Sequence, residues 1–78
     1  MVRSWFEVLS RRLKRIRDLR EDADKTQIEI ANYLYLNRNV YWRYEAGKQE
    51  VPVWVVLRLA ELYGVTTDYL LGLSNQRR

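Results

Sequence analysis

Four side chains in the stretch Thr26–Lys48 carry donors or apolar surface of the kind that meets a nucleic-acid base edge: Arg38, Asn39, Trp42 and Arg43. Arginine presents two parallel donors that match the acceptors of guanine in the major groove, and asparagine pairs in the same two-pronged way with adenine. Trp42 offers a single indole N–H and a large apolar ring, which suits thymine methyls or sugar. On a helix these four positions fall on one side, while Tyr41, Tyr44 and Glu45 fall on the other. An ordinary solvent-exposed helix face with one stray tryptophan has the same spacing, so spacing alone leaves both readings open. Lys48 and Gln49 follow just beyond Gly47. Gln27 stands at the start of an earlier helix, where its amide and the free backbone N–H groups can hold a phosphate; a plain polar residue at that position is the alternative.

Other chemistries lack their parts. Asp18, Glu21, Asp22 and Asp24 crowd one stretch, but no second ligand set accompanies them, and a solvated helix end is the expected reading. The chain has neither histidine nor cysteine. The commonest general base, thiolate metal sites and disulfides are therefore absent, and neither a catalytic residue, a metal nor a cofactor is expected.

The candidate face needs elements to hold it. Thr26-x-x-Glu29 is a capping box opening one helix, whose Ile30, Ala31 and Leu34 form an inward stripe while Ile28 lies off it. Asn37 caps a second helix over Arg38–Glu45, and Gly47 supplies a left-handed stop. Pro52 sets the entrance to a further helix, with Val55, Val56, Leu59, Ala60 and Leu62 filling the core and Gly64 closing it. Thr66 caps a last short helix through Leu71, with Asp68 in its first turn. Upstream, Trp5, Phe6, Leu9, Leu13, Ile16 and Leu19 continue one apolar stripe, so helix one is expected to begin as early as Ser4. Trp5 and Phe6 either cover the core or add a dimer or partner surface. The basic run from Arg11 to Arg17 spreads around the solvent side, with some cations available to phosphates.

Seventy-eight residues allow one domain with a small core, worth no more than about 3–5 kcal/mol net. A formal charge of +4 and a sequence pI near 9.7 favour a polyanionic partner, although solubility alone would account for so modest a charge. No apolar run approaches the ~20 residues of a membrane span, and a soluble, cytoplasmic protein is expected. Three glycines, one proline and a helical period throughout argue against a sheet.

The segments LKRIRDLRED, TQIEIANYL, NRNVYWRYEAGK, LRLAELYGV and TTDYLLGL run in that order from Leu13 to Leu73. Together they resemble the helix-turn-helix domain of Cro and lambda-type repressors, the XRE family. Tyr41-x-x-Tyr44-Glu45-x-Gly47-Lys48 with Asp68-Tyr69-Leu70-Leu71-Gly72 is similar to prophage-type repressors of Gram-positive bacteria. The resemblance implies an all-α, compact five-helix lambda-repressor-like DNA-binding domain over 13–73. A segment 1–12 running into helix one precedes it, and a basic, frayed tail 74–78 follows. It further implies a structural ion pair between Arg20 and Glu45, a phosphate contact at Lys48, and a dimer interface at the last helix through Tyr69, Leu70 and Leu73. Trp54 replaces a residue commonly acidic in the family and joins the interface candidates.

The chain also departs from the family pattern. Tyr35 stands where the turn most often has glycine, Asp24 where relatives have glycine or asparagine, and Lys25 where leucine is usual. The expected function is a sequence-specific transcriptional regulator that binds double-stranded DNA as a homodimer and acts by occupying an operator. The alternative, suggested by Trp5, Trp42 and Trp54, is a protein-interaction module or an antitoxin on the same fold.

Overall fold

The computed structural model describes residues 14–78. The expectations for Trp5, Phe6, a helix start at Ser4 and the 1–12 segment lie outside the described residues. Within them the chain is all-helical: α1 (Lys14–Asp22), α2 (Gln27–Tyr33), α3 (Arg38–Glu45), α4 (Val53–Tyr63) and α5 (Thr67–Leu70). None of these helices is long and apolar enough to cross a membrane.

Local chemistry starts and stops each element. The Thr26 hydroxyl accepts from Glu29 N at 3.1 Å, and the Glu29 carboxylate accepts from Thr26 N at 2.9 Å, the reciprocal pair of a capping box. Asn37 Oδ1 accepts from Asn39 N at 2.7 Å to open α3, and Thr66 Oγ1 accepts from Tyr69 N at 3.0 Å to open α5. All five helices end the same way. A residue at positive φ follows the last turn, and the next amide reaches back to a carbonyl five residues earlier: Lys25 to Arg20, Leu36 to Ala31, Lys48 to Arg43, Val65 to Ala60 and Leu73 to Asp68. These bonds satisfy carbonyls that the helix itself leaves open.

Glycine makes the left-handed turn at three of these ends, but Asp24 (φ 56) and Tyr35 (φ 58) make it with a Cβ. The Tyr35 ring is 89% exposed, so it returns no packing for that conformation. A left-handed residue other than glycine, asparagine or aspartate costs roughly 1–2 kcal/mol. Tyr35→Asn is therefore expected to raise the urea midpoint, by the equivalent of about 1 kcal/mol, with α2 and α3 unchanged by circular dichroism.

The core draws on every helix: Ile16 and Leu19 from α1, Ile30, Ala31 and Leu34 from α2, Tyr41 and Tyr44 from α3. Val51 precedes α4, which adds Val55, Val56, Leu59 and Ala60, and Leu70 of α5 closes one end. Two leucines exchange their expected places. Leu62, read as core, is 37% exposed, and Leu70, read as an interface residue, is 0% exposed. Towards its end α4 turns its other row inward, so Tyr63 packs against the core in place of Leu62. In the four-residue α5, Leu70 is the fully buried side chain, with Tyr69 and the following Leu71 packed partly against the core.

The tail is the other correction. Arg15, expected on a solvated face, donates from Nη1 to Tyr69 O (2.6 Å) and Ser74 O (2.7 Å), and from Nη2 to Asn75 Oδ1 (3.1 Å). Its guanidinium lies 4.1 Å from the centre of the Tyr69 ring, and that of Arg77 lies 5.4 Å from it. Thr66 N donates to Arg77 O at 2.7 Å. Residues expected to fray are thus folded back because a cation collects the open carbonyls at the end of α5, where the helix dipole favours positive charge.

Candidate nucleic-acid interface

The α3 helix is held from beneath and open above. Tyr41 (0% exposed) and Tyr44 (3%) anchor its inner side in the core, against α2 and α1. Arg38, Asn39, Trp42 and Arg43 are all exposed on the opposite side. The four side chains singled out by spacing therefore occupy one outward arc. Asn37 keeps its side chain on the backbone at the helix start, which leaves Arg38 and Asn39 as the leading polar groups.

Glu45, at the far end of α3, locks the helix to the rest of the fold. Arg20 of α1 grips it with two parallel bonds, Nε to Oε2 at 2.7 Å and Nη2 to Oε1 at 3.1 Å. The side chains of Arg20 and Glu45 are only 12% and 4% exposed. Arg20 Nη1 also donates to Lys25 O at 2.8 Å, so one guanidinium ties α1, the α1–α2 turn and α3 together. Burial pushes the Glu45 carboxyl up, but the Arg20 hydrogen bond, aided by Tyr41 and Gln27, outweighs it and holds the pKa below the ordinary 4.5. The same hydrogen bond raises the Arg20 pKa against the opposing effect of burial.

Two phenols sit beside this pair. Tyr41 Oη and Tyr63 Oη are buried, and neither has a hydrogen-bond partner among the described residues. Burial, and then the nearby Glu45 charge, raises both phenols, Tyr63 to about 12 and Tyr41 further.

Gln27 joins this cluster rather than the outward arc. Its Nε2 donates to Glu45 Oε1 at 3.1 Å, and its side chain is half-buried between α2 and α3. Sequence reasoning missed that bond; the signal available was a glutamine at the start of α2 with a carboxylate expected beneath. Lys48 is exposed in the loop after α3, with Nζ 5.9 Å from the centre of the Trp42 ring. Trp54 (46%) and Leu73 (49%) are exposed, while Tyr69 is half-buried under its two arginines. Neighbouring Val53 (74%) and Leu57 (54%) are more exposed still. They line an open depression with Val56 and Leu71 that sequence reasoning did not single out.

Comparison with known proteins finds relatives among transcriptional regulators. The chain is 43% identical over 58 residues to the cryptic phage CTXphi transcriptional repressor RstR of Vibrio cholerae, a match covering 74% of this chain and 52% of the relative. It is 39% identical over 59 residues to the HTH-type transcriptional regulator ImmR of Bacillus subtilis, covering 76% and 46%. An uncharacterized HTH-type regulator of the same species, YobD, is 34% identical over 62 residues, covering 80% and 55%. The chain thus spans about half the length of these relatives. No solved structure gave a significant match. A helix-turn-helix domain family model matches residues 9–71, a span that includes the capping box, the turn at Tyr35 and the whole of α3. This chain belongs to the helix-turn-helix domain family.

Proposed function

We propose that this chain is the DNA-binding unit of a phage- or prophage-type transcriptional repressor, in which α3 enters the major groove and reads base edges. The observation that carries the proposal is the division of α3 into two faces. Its tyrosines and Glu45 are fixed below, and its two arginines, asparagine and tryptophan are presented above. Arg38 and Asn39 lead into the groove, Arg43 and Trp42 follow one turn on, and Lys48 meets the phosphate backbone. Gln27 takes a positioning role, holding Glu45 and the start of α2 beside the strand. The DNA-binding unit is residues 13–73, with 74–78 returning onto α5, and repression follows from occupying an operator in the cytoplasm.

A homodimer is part of the proposal. Two copies would place their α3 helices about one turn of DNA apart, ~34 Å, and read a near-palindrome. The apolar surface of Val53, Trp54, Leu57 and Leu73 suits the contact between copies better than Leu70 or Tyr69, which the fold already uses. The same surface favours the second reading, a protein-interaction module or antitoxin whose partner binds here.

Binding measured across salt tests the proposal. A duplex selected by the chain should be held with an affinity that falls linearly on a log–log plot against salt. Lys48→Ala should lower that slope by about 1 while weakening all sequences alike. Equal affinity for every sequence at all salt concentrations would refute base reading. Solution mass with and without the duplex decides between one copy and two.

A further inference from the structure

Of the four residues on the outward arc of α3, Trp42 alone is mainly apolar. It is four positions after Arg38 and three after Asn39, so it stands directly behind both on the same side of the helix. The ring is 42% exposed, in a place where any polar residue would satisfy the helix. It lies outside the buried core that α3 forms with Tyr41 and Tyr44. Lys48 Nζ approaches it at 5.9 Å from the ring centre, bracing the indole from the loop after α3.

In the major groove the one apolar group on a base edge is the 5-methyl of thymine. Four residues of helix advance about 6 Å, close to two base-pair steps. Sugar is the other apolar partner in a duplex, but it lies on the flank of the groove, whereas Trp42 shares the exposed arc of Arg38 and Asn39. We infer that Trp42 is a specificity-determining residue that packs its indole against the 5-methyl of one or two thymines next to the base pairs met by Arg38 and Asn39. This rests on the proposed base reading by α3 and adds the chemical group that the helix's middle turn selects.

The test replaces each thymine of a selected duplex, one at a time, by uracil, which removes the methyl and leaves the pairing intact. Binding is measured for the wild-type chain, Trp42→Ala and Trp42→Phe. Wild type should lose about fourfold in affinity at one or two adjacent positions, the effect of exposing one methyl's worth of apolar surface. Trp42→Ala should bind the thymine and uracil duplexes equally, and Trp42→Phe should keep part of the difference. Urea midpoints near wild type establish that the variants are folded. If no uracil substitution changes wild-type affinity, or if Trp42→Ala remains as sensitive as wild type, the assignment is overturned. Failure of base reading itself would show separately, as absence of sequence preference on unmodified DNA.

Discussion

Arg38→Ala and Arg43→Ala should each lower affinity for a selected duplex by about 5- to 150-fold, the range for losing a two-pronged arginine contact to guanine. Both side chains are exposed, and neither forms a hydrogen bond or ion pair through its guanidinium among the described residues, so neither change should disturb folding. The loss should be selective. Base contacts confer preference, and binding to unrelated DNA, which depends on phosphate neutralisation, should fall far less. A guanine preference at one step of the site should weaken with Arg38→Ala and a different one with Arg43→Ala. Competition gel shifts between the selected duplex and a scrambled one measure this directly. A uniform loss on both duplexes would move the arginines from the bases to the backbone.

Arg20→Ala should have the largest effect on stability. It leaves Glu45, whose side chain is 4% exposed, with the Gln27 amide as its remaining donor in place of a guanidinium. Breaking a fully buried pair from one side costs about 3–5 kcal/mol; this part-buried pair should lose a large share of that, against the small net stability of a domain this size. The variant is expected to lose most of its stability at neutral pH, with a urea midpoint far below that of wild type. Glu45→Gln should be milder, because Arg20 and Gln27 keep an oxygen to donate to. A double replacement by apolar residues of similar size, Arg20→Met with Glu45→Leu, should recover much of the loss, since no charge is then stranded.

The dependence on pH follows from the same pair. In the wild type the Glu45 pKa is depressed on folding. The stabilisation it brings is present above the ordinary value of 4.5 and disappears as pH falls through the lower folded value. In Arg20→Ala the burial of Glu45 is no longer offset, so acid relieves the defect. The gap between the two proteins in urea midpoint should be widest near neutral pH and close in acid. Midpoints measured from pH 7 downward check both arms.

Much of this arrangement is legible in local chemistry. Thr26 with Glu29 and Asn37 with its following amides need only neighbouring residues, so the starts of α2 and α3 can be read directly. The inward tyrosines and outward polar residues of α3 follow from helical period. The sequence also flags Tyr35, and the structure places it at φ 58, where the fold tolerates the strain instead of relaxing the turn. What could not be read depends on distance along the chain or on too few turns. Arg15 meets partners 54 to 60 positions away, which no local pattern announces. Leu62 and Tyr63 end two adjacent rows of α4, and packing alone decides which row turns inward. The four residues of α5 are too short for a period to distinguish Leu70 from Tyr69. The Gln27 to Glu45 bond likewise needs the angle between α2 and α3, which the residues imply but do not specify.

The central claim is that the outward arc of α3 reads DNA sequence, and selection of binding sites from a pool of random duplexes tests it most directly. The wild-type chain should enrich a short motif containing guanine at the steps met by Arg38 and Arg43, with adenine–thymine pairs between them. If two copies bind together, the motif should recur in inverted orientation about one DNA turn away. The Arg38→Ala, Arg43→Ala double variant should bind weakly and enrich nothing. Selection of no motif by the wild type, or of the same motif by the double variant, would contradict the account.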